Sequence, residues 1–343
     1  MPQYYGWDVG GAHLKLAVLD DDGALIAVRQ VACALWQGED RLIDALQRLA
    51  QQFSFEHGRH ALTMTGELCD LFEHREQGVT RIIERMVSTV RDAPLMVYAG
   101  SRGWLAPSAA VATAAAVASQ NWHATASWCA RRAPDAMVID IGSTTTDIIA
   151  LQHGQVVCAE TDAARLETGE LLYAGVSRTP VMAVIKEVPM NGRWRAVTAE
   201  TFATMADVYR ITGELPDGAD KHATADGRPA DRPHSLRRLA RMVGEDADLG
   251  NERALADCAR FVAFSHFNQL QRGFSQVVSQ YTRPEKIVGV GSGEFLVRRL
   301  ANFNEVIFQS FAELVHAPSA LSSDVSTCAP AVAVAKLAHW KRL

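Results

Sequence analysis

Short apolar runs separated by glycine or acidic turns open the chain. Residues 3–9 lead into Gly10-Gly11, residues 14–19 follow, and Asp20, Asp21, Asp22 and Gly23 turn the chain into a third run at 24–32. Runs of this length between turn residues predict three antiparallel strands. Leu42, Ile43, Leu46 and Leu49 then recur at helical spacing and predict an amphipathic helix over 39–52. A strand at 61–65 ending in Gly66-Glu67, a helix at 76–91 and a strand at 95–98 closed by Gly100 come next. Pro107 and Ser108 start an Ala/Val-rich helix that reads through Gln120. A meander followed by strand, helix, strand and helix predicts an α/β lobe.

The same design recurs at 137–149, MVIDIGSTTTDII. An apolar run carries Asp140 at its end, turns at Gly142 through Ser143, Thr144, Thr145 and Thr146, and returns through Asp147 into a second run. This predicts a hairpin with its polar residues gathered at the tip, and 156–161 reads as the third strand of a second lobe. A hairpin at 183–187 and 193–197, a helix capped by Thr198, a helix over 251–280, a strand at 287–290 and a last helix over 329–341 complete the pattern. Residues 213–234, rich in Gly, Pro, Asp and charge, read as a surface loop or lid. Two lobes facing each other would put Asp8 and Asp140 on opposite walls of one cleft.

Composition narrows the class. With 343 residues, 48% apolar and 21% charged, the chain has ample material for two cores. A net charge of −5 leaves no electrostatic footprint for nucleic acid. The longest apolar stretches carry polar breaks, so no membrane span is expected, and the early glycine turn leaves no room for a signal peptide. Cys33, Cys69, Cys129, Cys158, Cys258 and Cys328 lie far apart without a Cys-x-x-Cys pair, which predicts reduced thiols in a cytoplasmic protein.

Three glycine turns carry the candidate chemistry. At 140–147, backbone N–H groups and the hydroxyls of Ser143 to Thr146 can donate to phosphate, and the two carboxylates can hold a cation. The alternative is an ordinary hairpin whose polar tip faces water. The third turn, Gly289-Val290-Gly291-Ser292-Gly293-Glu294, lies between a strand and a helix, where glycine admits a ligand to the backbone and the helix N-terminus favours phosphate. No acidic residue follows at the spacing of a dinucleotide fold, so that fold is not expected.

Three such turns in this order resemble the actin-like and sugar-kinase-like ATPase superfamily, an α/β fold of two ribonuclease H-like lobes facing a cleft. GWDVGGAHLK (6–15), MTGELCDLF (64–72), LETGELLYAGVSRTPV (166–181), ETFATMADVYRITGE (200–214) and STCAPAVAVAKL (326–337) resemble, within it, the hydantoinase/oxoprolinase-like family. They are most similar to its branch in methanofuran synthesis and tetrahydromethanopterin-linked one-carbon transfer. The resemblance implies a first lobe at 1–130, a second at 131–325 with 213–234 inserted, and a C-terminal helix, 326–343, packing back on the first. It implies a transferase that joins an aminomethyl-furanmethyl diphosphate to the phenol oxygen of a tyramine- or tyrosine-like acceptor and releases diphosphate. Mg²⁺ would be held by Asp8, Asp140 or Asp147. Lys15, with Gly10, Gly11, His13, Gly142, Ser143, Thr144, Thr145, Thr146, Gly291, Ser292 and Gly293, would meet phosphate. Glu67 and Asp207 are candidates for the base that takes the phenol proton, and Arg178, Thr179, Arg210 and Glu294 for substrate binding.

Bland readings stand beside these. Asp8 can cap a turn, Lys15 can be a solvated strand residue, and Arg178 and Arg210 can be ordinary ion pairs. Two other functions fit the fold: an ATP-dependent small-molecule kinase or hydantoinase/oxoprolinase-type enzyme, and a nucleotide-dependent non-enzymatic scaffold. The expected partners are small-molecule substrates, with a homo-oligomer left open.

Overall fold

A computed structural model describes residues 3–343 apart from 217, 221 and 249. The first three strands are β1 (Tyr4–Val9), β2 (His13–Leu19) and β3 (Leu25–Ala32), followed by α1 (Asp40–Ala50), β4 (Arg59–Met64), α2 (Arg75–Val90), β5 (Leu95–Tyr98) and β6 (Trp104–Leu105). Helices α3 (Pro107–Ala112), α4 (Ala114–Val117) and α5 (Asn121–Arg132) come next. The helix expected to run through Gln120 breaks at Thr113. Its hydroxyl bonds back to the Ala109 carbonyl at 2.8 Å and its backbone leaves the helical region, so the chain restarts at Ala114.

Next come β7 (Ala136–Ile141), β8 (Thr146–Gln152), β9 (Gln155–Val157), α6 (Asp162–Thr168), β10 (Leu171–Leu172), α7 (Val181–Val184), β11 (Glu187–Met190), β12 (Arg193–Ala196), α8 (Met205–Thr212), α9 (Arg232–Met242), α10 (Glu252–Gln280), β13 (Lys286–Val290), α11 (Glu294–Phe303) and β14 (Ile307–Ser310). The chain ends in α12 (Phe311–Leu314), α13 (Ser322–Thr327) and α14 (Ala329–Lys341). Thr198 does not start α8. Thr204 does, its N–H donating to the Asp207 carboxylate at 3.1 Å in a capping box. Of the loop expected at 213–234, positions 217 and 221 lie outside the described residues, and 232–234 belong to α9.

Two compact units result. One comprises Met1–Pro134, His153–Val156 and Phe311–Leu343, and the other Asp135–Gln152 and Val157–Ser310. In the first, the sheet order is β3-β2-β1-β4-β5-β6, with β1 to β3 antiparallel and β1, β4 and β5 parallel. In the second it is β10-β8-β7-β13-β14, with β7 and β8 antiparallel and β7, β13 and β14 parallel. Each sheet thus joins an antiparallel hairpin to a parallel edge, and the hairpin tip lies at the C-terminal edge of the parallel strands, where α/β sheets bind ligands.

Close packing explains the Ala-rich C-terminus. Every residue of β1 is buried, and a Cβ at Gly6 would lie 2.0 Å from the Ala331 carbonyl of α14. Only small side chains let a helix approach a central strand so closely.

Each unit also buries a histidine. Trp7 Nε1 donates to His60 Nδ1 at 3.0 Å, so His60 Nε2 donates to the Phe55 carbonyl at 2.9 Å. His266 Nδ1 pairs with the Tyr209 hydroxyl at 2.7 Å. Burial pushes both imidazoles down to about 4 from an ordinary 6.5. A depressed histidine contributes stability that is present above 6.5 and lost as pH falls toward 4. The melting temperature is therefore expected to fall steeply over that window and less so in His60→Gln. A flat profile between pH 6.5 and 4 would contradict the assignment of neutral buried rings.

Candidate functional site

The tip of the second hairpin is held by one neighbouring segment. Its carbonyls are consumed from one side by 175–178: Val176 N–H donates to the Gly142 carbonyl at 2.9 Å, Arg178 N–H to that of Ser143 at 2.8 Å, and Gly175 N–H to that of Thr144 at 3.0 Å. Thr146 Oγ1 donates to the Ala174 carbonyl at 2.8 Å, and Gly142 N–H to that of Thr145 at 2.9 Å. The backbone N–H groups of Ser143, Thr144 and Thr145 find no acceptor among the described residues. Three consecutive backbone donors are thus left open on a half-exposed turn whose acceptors are already satisfied.

The third turn packs on the second. Val290 pairs with Asp140 in register, and Gly293 N–H donates to the Ile141 carbonyl at 2.9 Å. Gly291 has a φ of +86°, and a Cβ there would lie 2.4 Å from both Asp140 Oδ1 and the Ile141 carbonyl. Glycine is required at that position. The Gly293 N–H is therefore committed to the fold, while Ser292 lies at the mouth of α11 beside Glu294.

In the first unit, Asp8 and Lys15 face each other across β1 and β2, and Lys15 Nζ lies 3.2 Å from Asp8 Oδ2. Asp8 is 1% exposed and its Oδ1 has no hydrogen-bond partner, as is true of Oγ1 of Thr63, its neighbour in register on β4. Gly10 N–H is taken by the His13 carbonyl at 3.0 Å, whereas the N–H groups of Gly11 and Ala12 meet no acceptor among the described residues. Glu67, just past β4, is buried. Its Oε1 accepts from Ser119 N–H at 2.8 Å and Ser119 Oγ at 3.0 Å, and its Oε2 has no partner. Burial pushes its carboxyl above the ordinary glutamate value despite those bonds.

Other expected residues are committed elsewhere. Asp147 Oδ1 accepts from Arg165 Nη2 at 2.6 Å, and burial raises its carboxyl while Arg165 pulls it down. Asp207 accepts from Thr204 N–H, from Ser235 Oγ at 2.8 Å and from Arg238 Nε at 2.8 Å. Arg210 pairs with Asp220 at 2.9 Å and contacts Asp207 at 3.4 Å. Thr179 Oγ1 accepts from Gly175 N–H at 2.8 Å. Arg178 is exposed, and its guanidinium has no partner among the described residues. Sequence reasoning missed Arg165 and Arg238, both fully buried; each lies among polar and charged neighbours, in DAARLET and SLRRLAR, so nothing local marks it as buried. Among the described residues no group of three or more His, Cys, Asp or Glu side chains is assembled as a metal cage, and no helix is long and apolar enough to cross a membrane.

Known proteins share this organisation. A protein of Methanocaldococcus jannaschii named (4-{4-[2-(gamma-L-glutamylamino)ethyl]phenoxymethyl}furan-2-yl)methanamine synthase is 28% identical over 97% of this chain and 96% of its own. A protein of the same name from Methanococcus vannielii is 26% identical over 59% of this chain and 89% of its own. A nucleotide-free structure of acetone carboxylase matches 95% of this chain and 69% of its own with a TM-score of 0.57 at 10% identity. That likeness concerns the fold alone, the two-lobed α/β fold of the actin-like and sugar-kinase-like ATPases. A family model described as hydantoinase/oxoprolinase matches residues 59–335. By that match the chain belongs to the hydantoinase/oxoprolinase family.

Proposed function

We propose that the protein is a transferase of methanofuran-type cofactor synthesis, joining an aminomethyl-furanmethyl diphosphate to the phenol oxygen of a γ-glutamyl-tyramine-like or tyrosine-like acceptor. The product named for its two relatives carries that phenoxymethyl-furan ether. The observation that carries the reading here is the row of unpartnered N–H groups at Ser143, Thr144 and Thr145, a cradle for a diphosphate.

The bond between the furan-bearing CH₂ and the diphosphate oxygen breaks, and its electron pair leaves with diphosphate. The phenol oxygen bonds to the CH₂ and its proton passes to a base. The electron-rich furan stabilises charge on the CH₂, so stabilising the leaving group is the main catalytic demand. The Ser143–Thr145 N–H groups, the hydroxyls of Ser143 and Thr144 and the Arg178 guanidinium supply donors for it. Glu67 is the preferred base: a buried carboxylate with one oxygen anchored by Ser119 and the other unpartnered is a stronger base than an exposed one. Asp207, engaged on both oxygens, instead holds α8 and α9 together.

The buried, unpartnered Oδ1 of Asp8 fits a cation site. Asp8, or in the other unit Asp140 or Asp147, would hold Mg²⁺, which typically binds through one or two carboxylates plus substrate phosphates. When bound, it would neutralise charge on the diphosphate. None of the six cysteines is in a disulfide, in keeping with work in the cytoplasm.

Mixing the protein with both substrates and Mg²⁺, without ATP, is expected to release diphosphate and form the ether. ADP formation from ATP with no diphosphate release would overturn the reading. Glu67→Gln separates chemistry from folding. Because burial raises the Glu67 carboxyl, its contribution to stability is present below about 4.5 and lost as pH rises through the folded value. The amide removes that loss, so the variant should be at least as stable as the parent at pH 7. Its turnover should drop by roughly 10²–10⁴-fold. Undiminished turnover would exclude Glu67 as the base.

A further inference from the structure

The first unit carries a cavity that the chemistry above does not use. It measures about 280 Å³ and is lined by Glu76, Arg102 and residues 111–116. Small-molecule sites usually span roughly 300–1,000 Å³, so this one suits a compact group rather than a whole large ligand. Its walls follow from the break between α3 and α4. Thr113 turns both its hydroxyl and its N–H back on the Ala109 carbonyl, at 2.8 and 3.1 Å. The other side chains at that corner are Val111 and four alanines. Small walls of this kind make room, and they offer a ligand no charge.

The charges come from two other elements. Glu76 stands in the first turn of α2, and Arg102 ends the short turn 100–102. The Arg102 guanidinium has no partner among the described residues, so it does not pair with Glu76. The Glu76 carboxylate meets His74 Nδ1 at 3.4 Å, an exposed contact that is an ion pair only when His74 is protonated. A cation and an anion thus line one neutral cavity without closing on each other. The guanidinium fork matches a carboxylate, and a carboxylate binds an ammonium. Together they match a zwitterion, the two charges that an α-amino acid carries on one carbon.

Position ties the cavity to Glu67. Gly78, two residues after Glu76, packs on Glu67 so closely that a Cβ there would lie 2.7 Å from the Glu67 Cα. Ser119, three residues after Ala116, holds Glu67 Oε1 through its N–H at 2.8 Å and its hydroxyl at 3.0 Å. Three residues of chain span no more than about 11 Å. The cavity and the candidate base therefore share α2 and the segment 114–119 as walls.

We infer that this cavity receives the α-amino-acid end of the phenolic acceptor, with Arg102 on its carboxylate and Glu76 on its ammonium. The inference rests on the reaction proposed above and sharpens it. The acceptor must carry a free α-amino acid, as γ-glutamyl-tyramine and tyrosine do and tyramine does not. Arg102 and Glu76 then set specificity at the end remote from the phenol.

Equilibrium binding separates this inference from the reaction. The full chain is titrated by calorimetry with γ-glutamyl-tyramine, tyrosine and tyramine, without the furan diphosphate. The parent is expected to bind at least one of the two amino acids about tenfold or more tightly than tyramine, the scale of one hydrogen-bonded charge. Arg102→Met should erase that preference and Arg102→Lys should keep part of it. Glu76→Gln should weaken all three ligands, since each carries an ammonium. Both residues are exposed, so the variants should melt with the parent. No preference over tyramine in the parent, a preference that survives in Arg102→Met, or unchanged affinities in Glu76→Gln overturns the inference. Diphosphate release, assayed in parallel, sets the reaction apart. Release with a preference indifferent to Arg102 strikes the site and leaves the reaction, whereas an Arg102-dependent preference without release supports the site and strikes the reaction.

Discussion

Asp140→Asn is expected to reduce diphosphate release by about 10²–10³-fold, as removal of one electrostatic contact to a developing charge typically does, while the melting temperature holds or rises. Asparagine has the shape of aspartate, so the packing of this side chain against Gly291 is retained. What is lost is one of two carboxylates that face each other across β7 and β8. Like charges directly opposite destabilise a sheet, so their partial removal should not weaken the fold. Activity and stability therefore move apart. Unfolding of the variant with no separate loss of activity would reduce the hairpin to a structural element and remove the basis of the proposed chemistry. The readouts are diphosphate release at saturating substrates and thermal melting on the same samples.

Much of this arrangement was legible from residue pattern. Alternation and turn chemistry located both hairpins, because two-residue periodicity and glycine tips are local signals. The last helix was found at 329–341, where Pro330 stands in the first turn of an Ala- and Val-rich run. The miss at Thr113 came from side-chain competition for a helix carbonyl, which composition does not reveal. The miss at Thr198 has another cause. Thr198 and Thr204 are equally good caps in isolation, and only the carboxylate of Asp207, three residues after Thr204, distinguishes them. That same carboxylate was expected to be a base, and its capping and ion-pair duties explain why an acidic residue sits in the first turn of α8.

Site residues divide along a similar line. Glycines and hydroxyls at the tips were visible because turn residues of this kind are a local signal. Which carboxylates keep an unpartnered oxygen was not visible, because that depends on distant residues: Ser119 for Glu67 and Arg165 for Asp147. The segment that satisfies the loop's carbonyls, 174–179, was conspicuous as sequence, yet nothing local says that its N–H groups turn back on Gly142, Ser143 and Thr144.

Gly175→Ala tests that segment and is expected to be the most damaging single methyl addition near the loop. A Cβ at Gly175 would lie 2.4 Å from Ser143 C, Ser143 O and Thr144 N, all backbone atoms that cannot rotate away. Relieving the overlap requires the peptide between Ser143 and Thr144 to move by about 1 Å, a displacement that can cost on the order of 10²-fold in rate when it shifts catalytic groups. Overpacking of this kind also costs about 1–3 kcal/mol of stability, read as a fall of roughly 2–4 °C in melting temperature per kcal/mol for a domain of 150–250 residues. Gly142→Ala is the contrast. Although Gly142 lies in the loop itself, a Cβ there meets only the Thr145 carbonyl at 3.6 Å, an ordinary contact, so its melting temperature should match the parent. The order of the two is the informative result. If Gly175→Ala keeps the parent's melting temperature and its affinity for inorganic diphosphate, the 174–179 segment does not hold the loop in shape, and the unpartnered N–H groups of Ser143 to Thr145 lose their claim to be a preformed site.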